Sequence, residues 1–182
     1  VRWTAGSFAA PGWLPVDVKD EYAVSIETTY RIPFYSLVHH DEVMSTWRWE
    51  DGMLRLPAYW RQKMLWSALY GNPPMFVLNA EHYRKRREAI VETQRYIGPW
   101  VREVAYEELV DHRFLAADRS VQESVFSNGR GVVVNFGEAP YALPDDATVP
   151  ARRYRTFTEG EPRVYDEPPE APTGPTEAEP DV

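Results

Sequence analysis

Apolar and polar positions along this chain follow two rhythms, and one gives way to the other near residue 98. Ile32, Pro33, Phe34, Tyr35, Ser36, Leu37 and Val38 make a nearly unbroken apolar run. That is the pattern of a strand buried on both faces of a parallel sheet, and Pro33 comes early enough to spare the ladder. Past a polar stretch, Leu56-Pro57 opens a helix, because proline fits the first helical turn. Trp60, Met64, Leu65, Ala68 and Leu69 continue it at helical spacing. Gly71 can take the left-handed conformation that ends a helix, and Pro73-Pro74 forbid its continuation. Residues 75–78 predict a second short buried strand. Asn79 predicts the cap of a further helix, with a face traced by Tyr83, Ile90, Val91 and Gln94 or Ile97. Strand, loop, helix, strand, helix in this order predicts an α/β fold built on a parallel sheet. Two strand–helix units do not close a sheet, so the pattern implies more units upstream of Val1.

Beyond Gly98-Pro99 the period shortens. Residues 121–126 alternate, Asn128-Gly129 is a two-residue hairpin signal, and an apolar run returns at 132–136. Residues 147–157 read as a later strand containing Pro150. The expected organisation is 1–108 as α/β units, 109–158 as a small antiparallel β-sandwich-like domain, and 159–182 as a tail.

Charge sharpens this division. The net charge of −8 is concentrated at the end, where residues 159–182 hold eight acidic side chains, one basic side chain and six of the sixteen prolines. Such a segment has little apolar surface to offset its ordering entropy, so it is expected to be disordered and dispensable for folding. The remainder is nearly neutral and lacks the basic stripe of a nucleic-acid binder. The basic run at 84–87 reads as the solvated side of a helix. No apolar run approaches the length of a membrane span, and cysteine is absent, which excludes disulfides and thiolate metal sites. Compartment stays open.

Chemistry-bearing residues gather at 39–52: His39, His40, Asp41, Glu42, Trp47, Trp49, Glu50 and Asp51. In a parallel α/β barrel the ligand sits on loops at the C-terminal ends of the strands, which is where this stretch falls if 32–38 is a strand. Carboxylates and imidazoles hydrogen-bond sugar hydroxyls, and indole faces pack against sugar C–H faces. His40, Asp41, Trp47, Trp49 and Asp51 are therefore the candidate carbohydrate-binding residues. Between the two histidines His40 is preferred, because neighbours on extended backbone point in opposite directions. Packing under the loop is the alternative for both tryptophans. Zinc ligand spacing is missing; calcium held by Asp41 and oxygens from elsewhere is the candidate metal, and no organic cofactor is implied. A catalytic pair of Asp41 with Glu50 or Asp51 is disfavoured, since barrel enzymes draw such pairs from different strand ends.

Three separated motifs carry a family resemblance. The first is Tyr30-Arg31-Ile32-Pro33-Phe34-Tyr35, Leu37-Val38, His40-Asp41, Val43, Ser45, Trp47, Trp49 and Asp51. The second is Leu69-Tyr70-Gly71, Pro73-Pro74-Met75. The third runs from Asp118-Arg119-Ser120-Val121-Gln122 through Phe126, Asn128-Gly129, Val132 and Val134 to Asn135-Phe136-Gly137. Together they resemble the late barrel region of α-N-acetylgalactosaminidase-like glycoside hydrolases of families 129 and 101. The resemblance implies the C-terminal part of a (β/α)8 TIM-type barrel followed by a small β-domain. It also implies a retaining mechanism, an Asp nucleophile and a Glu acid/base on earlier strands, and calcium near the pocket. Neither catalytic carboxylate has a counterpart here, so the chain is expected to be an inactive fragment whose partner is the missing N-terminal part of the same polypeptide. Glu50 stands where the family pattern has Gly. Rival readings are a non-catalytic carbohydrate-binding or structural module and a barrel hydrolase of other sugar specificity.

Overall fold

The computed structural model describes residues 2–5, 32–46, 59–76, 78–160, 162–170 and 172–173. In chain order the elements are β1 (Arg2–Ala5), α1 (Phe34–His39), β2 (Val43–Thr46), α2 (Trp60–Leu69), α3 (Ala80–Val104), β3 (Leu109–Phe114), β4 (Val121–Phe126), β5 (Arg130–Asn135), β6 (Tyr141–Ala142), β7 (Thr148–Val149), β8 (Arg153–Thr158) and β9 (Val164–Tyr165). β1 and β2 pair in parallel, Arg2 opposite Val43 and Ala5 opposite Thr46. β3-β4-β5-β8-β9 form an antiparallel sheet in that order, and β6-β7 form a separate ribbon. No helix among the described residues is long and apolar enough to cross a membrane.

Two expected strands are corrected. The apolar run at 32–38 is a helix from Phe34 to His39. Its inward positions are Pro33, Ser36 and His40, spaced by three and four residues, while Phe34, Leu37 and Val38 face outward. A helix with one buried side satisfies that spacing, whereas a strand buried on both faces does not. The parallel strand lies instead at 43–46, about ten residues later. Residues 75 and 76 are irregular and pair with nothing, although Phe76 packs against the core; residue 77 lies outside the described residues.

The helical expectations fare better. Asn79 caps α3, its Oδ1 accepting from the amides of Glu81 at 3.0 Å and His82 at 2.8 Å. Gly71 follows α2 with φ +65°. α3 then passes straight through Gly98-Pro99, where a break was expected, because Tyr96, Ile97, Trp100, Val101 and Val104 all point into the core. Its first nine residues are exposed apart from Arg86, which is half-buried.

α2 lies between α3 and the sheet and is buried nearly all round. Trp66 stacks on Phe136 at 4.5 Å. Burying one such indole removes about 150–250 Å² from water, roughly 4–6 kcal/mol of transfer free energy. Two of the buried indole N–H groups on this side are seen with acceptors: Trp60 donates to Thr93 Oγ1 at 2.9 Å and Trp100 to the Ala68 carbonyl at 2.7 Å. One core therefore joins α2, α3 and the sheet, across the boundary expected at 108. The sheet's other face packs Val121, Val125, Val133 and Phe157 against Leu143 and Val149. Gly131 lies against Phe157, where a Cβ would fall 2.1 Å from the ring.

The β-domain also departs from expectation at its end. The strand foreseen over 147–157 is split into β7 and β8 by a turn at Ala151-Arg152, just after Pro150. The sheet continues past 158, the expected domain limit: β9, inside the segment read as a disordered tail, pairs Val164 with Thr158 and Tyr165 with Phe157. Arg163 explains this docking. Its guanidinium meets the buried carboxylate of Glu123 at 2.6 Å, Glu159 at 2.7 Å, and the Phe157 ring at 4.5 Å. Asp166 adds contacts to Arg130 at 2.6 Å and Thr156 at 2.7 Å. Residues 162–170 and 172–173 form a strap rather than a free tail.

Candidate functional site

β2 divides the candidate residues into two groups. His40 and Asp41 precede it in the turn after α1, and Trp47, Trp49 and Asp51 follow its C-terminal end in the chain. A four-residue strand is about 13 Å long, so the five do not lie on one loop after a strand as expected. Trp47, Trp49 and Asp51 lie outside the described residues. Asp41 is exposed at the entry to β2, which corrects its expected place at the exit of a buried strand.

His40 sits in a packed junction. It is 6% exposed, and its Nδ1 lies 2.6 Å from the Glu107 carbonyl. A carbonyl only accepts, so Nδ1 carries the proton. The ring meets Phe126 edge-on at 5.1 Å. Burial lowers its pKa below 6.5, opposed by the carbonyls of Glu107, Tyr70 and Gly71 and by the charge of Asp41. These contacts engage the imidazole within the protein. His39, by contrast, is half-exposed and reaches Glu42 at 3.8 Å.

The same junction holds the turn that ends α2. A Cβ on Gly71 would fall 2.8 Å from Val104 Cγ2 and 2.9 Å from His40 Nε2. Thr46, at the exit of β2, donates to the Pro73 carbonyl at 3.0 Å. Two motifs separated by about thirty residues, His40-Asp41 and Leu69-Tyr70-Gly71-Asn72-Pro73, thus form one assembly. The third motif builds the tight connections of the sheet. Asp118 accepts from the Ser120 amide and hydroxyl, Arg119 has φ +61°, and Asn135 accepts from the Gly137 amide at 2.8 Å.

A buried polar strip on the sheet gave no sequence signal. His112 lies opposite Ser124, 3.2 Å from its hydroxyl, with Gln122 on the same face. Burial pushes the His112 pKa down to about 4. A polar residue in an alternating strand is ordinarily assigned to the solvent face, and only the packing of α2 over this strand reverses that. Among the described residues no group of three His, Asp or Glu side chains is placed to hold a metal. Asp41 alone does not make a calcium site.

The model of the glycosyl hydrolases related to the GH101 family, GH129, matches residues 9–125. No curated protein matches the chain. Two solved structures of alpha-N-acetylgalactosaminidase NagBb from Bifidobacterium bifidum, the ligand-free form and a quadruple mutant, are each 30% identical with a TM-score of 0.44, over 58% of this chain. The chain spans 16% of the length of each. With the match running over residues 9–125 and so over more than half of its length, the chain belongs to the GH129 family of glycosyl hydrolases, related to GH101.

Proposed function

We propose that this chain is the C-terminal part of a retaining glycoside hydrolase that cleaves α-linked N-acetylgalactosamine or a closely related sugar. The observation that carries this reading is the family match over residues 9–125. The parallel β1–β2 pair, with α1 between its strands and α2 after it, supports a contribution to the last units of a (β/α)8 barrel. The exposed Phe34, Leu37 and Val38 of α1 supply a surface for further parts of the parent enzyme. In this reading the Asp nucleophile and Glu acid/base come from elsewhere in that enzyme, and the present chain shapes the sugar pocket.

Barrel chemistry occurs at the C-terminal ends of the strands, so the exit of β2 is the sugar-facing end. Trp47 and Trp49 then pack on the sugar ring, Asp51 accepts from a hydroxyl, and the His40-Asp41 turn fixes the entry of β2. In the parent, Asp51→Asn and Trp49→Ala are expected to lower kcat/KM on an aryl α-N-acetylgalactosaminide at least about tenfold, the worth of one hydrogen bond to a charged group. Asp41→Ala and Glu88→Ala are expected to stay within about threefold, since both are exposed away from that end. Loss on Asp41→Ala equal to that on Asp51→Asn would move the pocket to the other end of β2. Absence of turnover on any aryl α-galactosaminide, with turnover of another glycoside, would overturn the sugar assignment.

A further inference from the structure

A small cavity lies between the start of α2, the middle of α3 and the turn before β8, remote from the His40 junction. Its volume is about 80 Å³, and its walls include Arg61, Arg153, Tyr96, Met64, Leu65 and Pro172. Arg61 and Arg153 make no ion pair with a carboxylate among the described residues. Among the described residues Arg61 donates to the Pro172 carbonyl, at 3.1 Å, and Arg153 donates through Nη2 to the Pro169 carbonyl. Carbonyl dipoles accept these bonds without neutralising the charge. Arg153 Nε is buried with no hydrogen-bond partner, an uncommon state for a cationic donor. The Tyr96 hydroxyl lies beside Arg153.

Arg61 is also a cation in the first turn of α2, where the helix dipole disfavours positive charge. That turn has no side-chain cap and no acidic residue. The side chains of Arg61, Arg153 and Tyr96 therefore line one space beside the start of α2, with Met64, Leu65 and Pro172 as its apolar walls. Among the described residues its walls carry no negative charge.

We propose that this cavity is a binding site for a small oxyanion, held by the Arg61 and Arg153 guanidiniums and the Tyr96 hydroxyl. The Arg61 and Arg153 guanidiniums supply the charge-assisted bonds that suit phosphate, sulfate or carboxylate oxygens. Pro172 of the strap stands in its wall, so an anion bound there ties the strap to α2. The shared chemistry has two sources, a free inorganic anion or an acidic group on a glycan.

Isothermal titration of the intact parent protein at constant ionic strength tests this, with sodium sulfate, inorganic phosphate and methyl glucuronide as separate titrants. Saturable one-site binding in the millimolar range or tighter is expected for at least one of them. Arg61→Gln, at an exposed position, is expected to weaken it about tenfold or more. Arg153→Lys, which keeps a charge but loses the fork, is expected to weaken it less. Arg113→Gln, at the far edge of the sheet, is expected to leave it unchanged. Tighter binding of the glucuronide points to a glycan source, and tighter binding of sulfate or phosphate to a free anion. No saturable binding of any titrant, or equal binding by wild type and Arg61→Gln, overturns the site.

Discussion

Gly71 combines a left-handed backbone with three close neighbours, one each from α1's turn, α3 and β4. Its substitution by Ala meets both a strained φ and a contact with Val104 that has no room to relax. A loss of about 2–4 kcal/mol is expected, read from denaturant unfolding. Gly129 also has positive φ, but a Cβ there meets nothing, so Gly129→Ala is expected to cost only about 1 kcal/mol. The sequence showed that Gly71 ends a helix; it did not show what packs around it, because neither His40 nor Val104 is near in the chain. A second residue-scale expectation concerns pH. His112 and His40 both have lowered pKa values in the folded protein, chiefly through burial. Their neutral forms stabilise the fold fully above about 6.5, the ordinary value, and this stabilisation fades as pH falls toward about 4, the value for His112. Acidification from 6.5 to 4 should therefore cost on the order of 2 kcal/mol beyond the loss seen in His112→Gln. Parallel melting curves of the two proteins across that range measure the difference.

Elements were legible where local chemistry alone decides them. The Asn79 cap, the stop at Gly71 and the hairpin at Asn128-Gly129 all have short-range causes. The run at 32–38 was misread because a short apolar stretch fits a buried strand or a buried helix equally well by periodicity. The strap was missed for a different reason: its composition is that of a disordered tail, yet one cation, Arg163, meets a carboxylate that the sheet has already buried. Removing one partner of a buried pair leaves the other uncompensated. Arg163→Met is thus expected to cost about 3 kcal/mol, and Glu123→Gln with Arg163→Met less than Arg163→Met alone. Deleting residues 161–182 should lower the melting temperature of the domain by more than about 5 °C. Deletion of 174–182 keeps every strap contact described above and should change it by less than about 2 °C. Equal melting of both truncations would return the strap to the status of a dispensable tail.

At the scale of the whole molecule, family membership was readable from three motifs, although the residues within them serve different ends. His40 and Gly71 hold a junction, and Asp118 and Asn135 hold turns. A motif records which residues an architecture requires without saying whether chemistry or packing requires them. The position of β2 was hidden in the sequence because its four residues include no long apolar run. α3 carries a further consequence. Its first nine residues touch almost nothing, while the second half is anchored in the core. Opening of the exposed turns breaks only local hydrogen bonds, whereas opening beyond Ala89 requires the core to part. Deuterium uptake along this single helix should therefore form a gradient, with amides at 84–88 exchanging within seconds to minutes and those at 97–104 slowing toward the rate set by global unfolding. The helix becomes a built-in gauge: where along it protection sets in marks how far the core's hold extends, and a ligand that tightens the core should move that point toward Ala80.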